Sequence, residues 1–338
     1  MMEAYLYERL EDNKVRCNLC SHRCVIKDGR RGICNVREND GGILNTLVYG
    51  KLIAQHIDPI EKKPLFHFLP GTPSYSIATV GCNFRCRFCQ NADIAQMPSD
   101  REGTILGTRC TPGDVVDAAQ GGGCRSIAYT YTEPTVFFEF AYQTAKLAHD
   151  RGICNVFVTN GYMTSEALEM IEPYLDAANV DLKAFTDDYY KKVCGAGLKH
   201  VQATLKLMKS LDIFIEVTTL IVPGLNDDPS ELNDLAAFIA RDLGPETPWH
   251  ISRFHPTYKL TDRPSTPIQT LTTAREIGIN AGLRYVYTGN VPGNAAENTF
   301  CYSCGETVIE RWGFQVENLR LKNGKCTQCG VEIDGVWE

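Results

Sequence analysis

Gly81-Cys82-Asn83-Phe84-Arg85-Cys86-Arg87-Phe88-Cys89-Gln90-Asn91 follows directly on the apolar run Tyr75 to Val80. Short runs of that composition read as strands, so three thiols, spaced C-x3-C-x2-C, fall in the loop leaving a strand. Thiols gathered on so short a loop can ligate one inorganic centre. A structural zinc needs a fourth ligand, and no His lies between Ser74 and Asp100 to supply it. A cubane iron-sulfur cluster held by three Cys instead leaves one of its four irons open for chemistry.

Outward from this loop the pattern repeats. Runs of β-branched and aromatic residues recur near 75–80, 125–131, 154–159, 177–182, 213–220, 249–253 and 284–287, with amphipathic stretches between most of them. Strands alternating with helices build a parallel sheet, and six or seven such units predict an α/β fold, a full or partial TIM-type (β/α) barrel of about six strands. Three helices are expected to open alike, at Thr111-Pro112-Gly113-Asp114, Asp228-Pro229-Ser230-Glu231 and Thr266-Pro267-Ile268-Gln269. Each offers an N-cap oxygen, a Pro at the first helical position and an acid or amide two residues on.

The polar motifs fall where these strands end. Cys82 follows the first, Thr132-Glu133-Pro134 the second, Thr159-Asn160-Gly161 ends the third and Asp181-Leu182-Lys183 the fourth. Val222-Pro223-Gly224-Leu225-Asn226-Asp227-Asp228 follows the fifth, Phe254-His255-Pro256 the sixth and Thr288-Gly289-Asn290 the seventh. Taken singly, a Thr-Asn-Gly or a Pro-Gly is only a turn. In a parallel barrel, however, the carboxyl ends of the strands share one rim, and these motifs converge on it above the three thiols. Asp181 and Lys183, two residues apart on a strand, point to the same face.

The chain of 338 residues is long enough for one large core with small appendages. We divide it into a Cys-rich metal module at 1–45, a connecting arm at 46–74, the barrel at 75–290 and a second Cys-rich module at 291–338. Its net charge of −7 and the absence of a Lys/Arg-rich run argue against a nucleic-acid partner. The segment Met1 to Lys14 is charged, and no apolar run of about 18 residues occurs, so neither secretion nor membrane spanning is expected. A cytoplasmic location follows, and there fifteen Cys serve metals or redox chemistry sooner than disulfides.

Cys17, Cys20, Cys24 and Cys34 stand in a polar segment that has little apolar matter with which to fold alone. A metal held by four thiolates would stabilise it. Zinc leads and a 4Fe-4S cluster is the alternative, with His22 as a further candidate ligand. At the other end Cys301, Cys304, Cys326 and Cys329 form two C-x2-C-G knuckles, which read as a zinc ribbon. The arm carries His56 and His67, which could reach an active site but are sooner packing residues. Cys124 and Cys154 adjoin strands and are expected to be packing thiols. Cys194, beyond the fourth strand, is a candidate hydrogen-atom donor at the mouth.

The C-x3-C-x2-C loop with Phe88 before its last Cys resembles the cluster motif of radical S-adenosylmethionine (SAM) enzymes. The barrel region resembles their pyruvate formate-lyase activating-enzyme branch, and the whole chain is similar to its AmmeMemoRadiSam-system members. The resemblance implies that Cys82, Cys86 and Cys89 ligate a 4Fe-4S cluster whose open iron chelates SAM. It further implies cofactor contacts for Phe88, Asn91, Thr132, Glu133, Asn160, Asp181, Lys183 and His255. In the second-strand motif Thr130 and Thr132 flank Tyr131 where the family has Gly-Gly-Glu, a departure that leaves backbone contacts in place. Val158 stands where some members place an Asp that binds a monovalent cation, so no such cation is expected.

The reaction so implied is reductive cleavage of SAM to methionine and a 5′-deoxyadenosyl radical, which abstracts hydrogen from an unknown substrate. A flavodoxin- or ferredoxin-type electron donor is implied, as is association with AMMECR1-like and Memo-like proteins. Two alternatives are an activating enzyme that installs a glycyl radical on a partner protein, and a non-enzymatic metal or electron-transfer protein. The first would have to admit a protein loop past two metal modules. The second leaves the rim motifs unexplained.

Overall fold

The computed structural model describes residues 2–291 and 293–338. Its central sheet has eight strands: β1 (Ala54–Pro59), β2 (Pro73–Ala78), β3 (Ser126–Tyr129), β4 (Cys154–Thr159), β5 (Ala177–Asp181), β6 (Phe214–Ile221), β7 (Trp249–Arg253) and β8 (Val286–Gly289). They are ordered in space as in the chain, β2 to β8 pairing in parallel and β1 antiparallel to β2. The seven runs read from the sequence are β2 to β8, each displaced by at most two residues at either end. β1 and β8 do not pair, so the barrel is partial, and the fully closed alternative is corrected.

The connecting helices are α1 (Pro112–Gly121), α2 (Phe138–Asp150), α3 (Ser165–Ile171), α4 (Leu198–Ser210), α5 (Pro229–Phe238) and α6 (Ile268–Asn280). Thr111 and Asp114 close a reciprocal capping box on α1, and Asp228 caps α5 by accepting from Ser230 N and Glu231 N. The third expected start is corrected: α6 begins at Ile268 with Pro267 as its cap. Thr266 is buried instead, its hydroxyl accepting from Phe254 N at 3.0 Å and donating to Ile221 O. Tertiary hydrogen bonds have claimed the group that local pattern assigned to the cap.

Beyond β1 the arm closes the amino-terminal end of the barrel. Ile60, Leu65, Phe68 and Leu69 pack on Ala128, Val156 and Ala177. Beside them runs a buried polar chain. Glu216 on β6 accepts from His67 N at 2.8 Å and lies 2.6 Å from His250 Nε2 on β7. His67 Nε2 in turn meets Tyr287 OH on β8 at 2.6 Å. His67 is therefore a packing residue at the base of the barrel, as expected, and the exposed His56 stands edge-on to Tyr131, ring centroids 5.9 Å apart.

The tail packs at this base as well. Its hairpin, β9 (Thr307–Trp312) and β10 (Gln315–Leu319), belongs to a second core in which Phe66, Tyr285 and Tyr287 meet Cys301, Val308, Ile309, Cys326 and Ile333. Too poor in apolar residues to build a core alone, the tail borrows one from the arm and β8. At the other end, Val15, Leu19, Ile26 and Val36 share the main core with the barrel. There the buried Arg37 pairs with Glu139 of α2, and losing either partner would strand a charge at a cost of about 3–5 kcal/mol. Among the described residues no helix is long and apolar enough to cross a membrane.

Candidate metal and cofactor site

Gly81 sets the entry to the thiol loop. Its φ of +101° lies in the region that favours glycine, and a Cβ there would stand 2.6 Å from Val36 Cγ1. The loop then leans on the segment after β5, with Arg85 N donating to Cys194 O at 2.8 Å and Arg87 N to Val193 O at 3.0 Å. Two N–H groups aim at the first sulfur: Phe84 N and Asn160 Nδ2 each lie 3.4 Å from Cys82 Sγ.

Cys82, Cys86 and Cys89 line a cavity of about 510 Å³ at the carboxyl ends of the strands. Burial and neighbouring acidic groups push the Cys82 thiol well up, a hydrogen bond with Cys194 and burial do the same to Cys86, and burial takes Cys89 to about 11. Such thiols stay protonated at neutral pH unless a bound metal compensates the thiolate charge. Their three sulfurs do not all lie within 4.8 Å of one another, a wider spread than that of the C-terminal thiols.

Asp181 and Lys183 enter the same cavity, joined by an ion pair of 2.8 Å. Burial alone would lower the Lys183 ammonium, but Asp181 together with Cys86 and Cys194 outweighs it and holds the lysine charged. Its Nζ stands 6.0 Å from the Phe88 ring centroid, at the edge of cation–π range. Asn91 donates to Tyr131 O at 2.7 Å and Thr132 to Thr79 O at 2.9 Å, so both side chains fix the backbone that they line. Val158 lines the cavity too, with an aliphatic side chain that offers no ligand atom.

Two expected contacts stand elsewhere. Glu133 is fully buried behind the wall, accepting from Thr159 Oγ1 at 2.8 Å and Asn160 N at 2.8 Å, so it ties β3 to β4 and positions Asn160. His255 is exposed and faces Ser265 Oγ at 3.0 Å, outside the cavity. Cys194 is buried against Cys86 and does not reach the mouth.

Other lining residues escaped the sequence reading. Lys63 from the arm and Phe314 from the tail hairpin reach the cavity, as do Ser252 and Asn290. Lys63 is 2.6 Å from Asp58, which also accepts from Lys62 and from Tyr131 OH. Burial would raise the Asp58 carboxyl, but these three donors hold it well below the carboxylate range. Burial draws Lys63 down to about 8 despite Asp58. The only signal for Lys63 was a pair of lysines in an otherwise aromatic and proline-rich arm.

Of the two Cys quartets, the C-terminal one is compact. Cys301, Cys304, Cys326 and Cys329 are, among the described residues, the one group whose ligand atoms all lie within 4.8 Å, with Sγ pairs at 3.6 and 3.8 Å. Zinc–thiolate bonds of about 2.3 Å place tetrahedral sulfurs about 3.8 Å apart. Cys17, Cys20, Cys24 and Cys34 line a separate cavity, and His22 turns its Nε2 to Asn83 O at 2.8 Å.

Residues 76–239 match the family model of the radical SAM superfamily. Over 99% of each chain the protein is 50% identical to uncharacterized protein MJ0808 of Methanocaldococcus jannaschii. The pyruvate formate-lyase-activating enzyme of Clostridium pasteurianum is 28% identical over 47% of this chain and 66% of its own length. Among solved structures, Streptococcus suis SuiB bound to S-adenosylmethionine superposes on 68% of this chain and 53% of its own, with a TM-score of 0.52 and 12% identity. A radical SAM methyltransferase from Sphaerobacter thermophilus covers 66% and 68%, with a TM-score of 0.51 and 14% identity. These two structural likenesses concern the fold.

Proposed function

Since the chain belongs to the radical SAM superfamily and is an enzyme of that class, we propose that Cys82, Cys86 and Cys89 hold a 4Fe-4S cluster at which SAM is reductively cleaved. Such a cluster would supply one electron and an open iron, and a 5′-deoxyadenosyl radical so formed would take a hydrogen atom from a substrate in the cavity. The protein's own groups bind and orient. Asp181 and Lys183 offer paired charges to the zwitterion and hydrogen bonds to the ribose, Phe88 offers a face to the adenine, and Asn91 holds the Tyr131 backbone toward the methionine amine while Thr132 ties that segment to Thr79. Glu133 acts through Asn160. The C-terminal quartet carries zinc and stabilises the tail. A low-potential flavodoxin or ferredoxin is the external donor, the cytoplasm the compartment, and AMMECR1-like and Memo-like proteins the candidate associates.

The observation that carries this reading is the convergence of three thiols and the Asp181–Lys183 pair on one cavity at the carboxyl ends of the strands. Anaerobically reconstituted protein with a strong reductant and SAM is expected to release methionine and 5′-deoxyadenosine, and replacing Cys82, Cys86 and Cys89 by Ala is expected to abolish release. Cleavage that persists in the triple variant refutes the assignment.

A second reading is an activase for a glycyl-radical protein. It is favoured by the pyruvate formate-lyase-activating relative and by the seat of the tail, which packs on the base through Phe66, Tyr285 and Tyr287. Of the tail hairpin only Phe314 lines the cavity, and a partner loop would enter beside it. A SAM-dependent glycyl-radical signal on a partner protein would establish this reading, and its absence with a small substrate consumed would exclude it.

A further inference from the structure

We propose that Cys17, Cys20, Cys24 and Cys34 hold a second iron-sulfur cluster rather than zinc, and that this cluster relays electrons to the centre at Cys82. The relay rests on the function proposed above; the occupancy of the quartet does not.

The two quartets of this chain differ in spread. The C-terminal sulfurs stand at zinc distances, whereas the N-terminal four line a small cavity of about 20 Å³, and no three of their ligand atoms lie within 4.8 Å of one another. Sulfurs so placed are spread beyond the tetrahedral zinc separation of about 3.8 Å, toward those of a cubane, whose four ligand sulfurs stand on the order of 6 Å apart.

The rest of the cavity wall is suited to sulfide. Arg37 and Asn83 line it, 2% and 1% exposed, and each keeps a buried donor without an acceptor, Arg37 Nε and Asn83 Nδ2. Orphaned buried donors are uncommon and cost about 1–3 kcal/mol each. The inorganic sulfides of a cluster are acceptors that a lone zinc would not bring. His22, the competing ligand, is already engaged by Asn83 O.

Position gives the relay. Asn83, in the wall of the quartet cavity, has its Oδ1 4.0 Å from Cys82 Sγ. A Cβ on Gly81, the residue before Cys82, would stand 3.4 Å from Cys34 O. On the opposite side His22 also lines an open surface cleft with Lys191 and His200. The quartet thus stands between solvent and the central centre. A reduced flavodoxin or ferredoxin gives one electron to the outer cluster, taking it from the 2+ to the 1+ state. That electron passes to the central cluster and returns the outer one to 2+, with no bond or proton moved.

The test is metal analysis with electron paramagnetic resonance on the full chain, reconstituted anaerobically. Wild type is expected to hold about eight irons and about one zinc, and the Cys82→Ala, Cys86→Ala, Cys89→Ala variant about four irons whose reduced signal SAM does not shift. About four irons with about two zincs in wild type, or an iron-free triple variant, overturns the second cluster. In Cys17→Ser with Cys20→Ser, reduction of the SAM-shifted signal by reduced flavodoxin is expected to slow about tenfold or more relative to wild type; an equal rate overturns the relay. Wild type that holds both clusters yet fails to cleave SAM would overturn the proposed function and leave the second cluster standing.

Discussion

Asn160 Nδ2, at the end of β4, lies 3.4 Å from the Sγ of Cys82, beyond the end of β2, and the same amide reaches Asn83 Oδ1 at 3.1 Å. A donor on a cluster thiolate stabilises the more negative, reduced state and so raises the reduction potential. Asn160→Leu, similar in volume but without the donor, is expected to lower the midpoint potential of the central cluster by tens of millivolts at unchanged iron content. A redox titration followed by electron paramagnetic resonance reads this directly, and an unshifted midpoint would deny the contact its role.

The Asp181–Lys183 pair bears on SAM itself. With Lys183 nearly buried and held charged by Asp181, Asp181→Ala leaves that charge short of a partner in a largely dry site. SAM affinity should fall by roughly 1–3 kcal/mol, about fivefold to 150-fold in Kd. Equilibrium titration of SAM against the reconstituted variant checks it. An unchanged Kd with intact cluster absorbance would remove Asp181 from the cofactor site while leaving the thiols untouched.

His67 makes acid a threat to the base of the barrel. Asp334 O, 2.6 Å from Nδ1, can only accept, so Nδ1 carries the proton and Nε2 accepts from Tyr287 OH. Burial draws the imidazole down to about 4, with Glu216 pulling the other way and Arg311 reinforcing. The unfolded chain, with a value near 6.5, then binds more protons across that interval. Stability present above pH 6.5 is lost as pH falls toward 4, by roughly 3 kcal/mol from this group alone. In urea melts, His67→Gln is expected to flatten the decline between pH 6.5 and 4; a decline as steep as that of wild type would show that other groups cause it.

The parallel strands were legible because burial on both faces writes them as continuous apolar runs, as in Ser126–Tyr129 and Ala177–Asp181. β1 was not, since an edge strand reading Ala-Gln-His-Ile-Asp-Pro alternates poorly and ends in a proline that only an edge tolerates. The site divided along the same line. Residues at or next to strand ends, such as Asn160, Asp181 and Lys183, reached the cavity because strand geometry aims them. His255 did not, because its direction depends on how the loop after β7 runs. Lys63 and Phe314 come to the cavity from an arm and a tail whose docking is non-local, and no local pattern encodes that.

The tail gives the last prediction. Tyr285 and Tyr287 are part of its core, while Cys301 and Cys326 are buried in the same cluster at the compact thiol site. Metal and packing therefore support each other: without the ion, repulsion among thiolates, or the volume of protons on crowded thiols, opens the core that β8 and Phe66 share. Cys326→Ala with Cys329→Ala is expected to lose about one zinc per chain and to lower the melting temperature. The absorbance of the central cluster should persist, since Phe314 is the only residue of the β9–β10 hairpin that lines the cavity, and no tail residue ligates there. Elemental analysis with thermal melts decides it. A variant that keeps its zinc, or loses iron in its place, would show that the compact quartet is not a zinc site and that the tail carries an iron centre of its own.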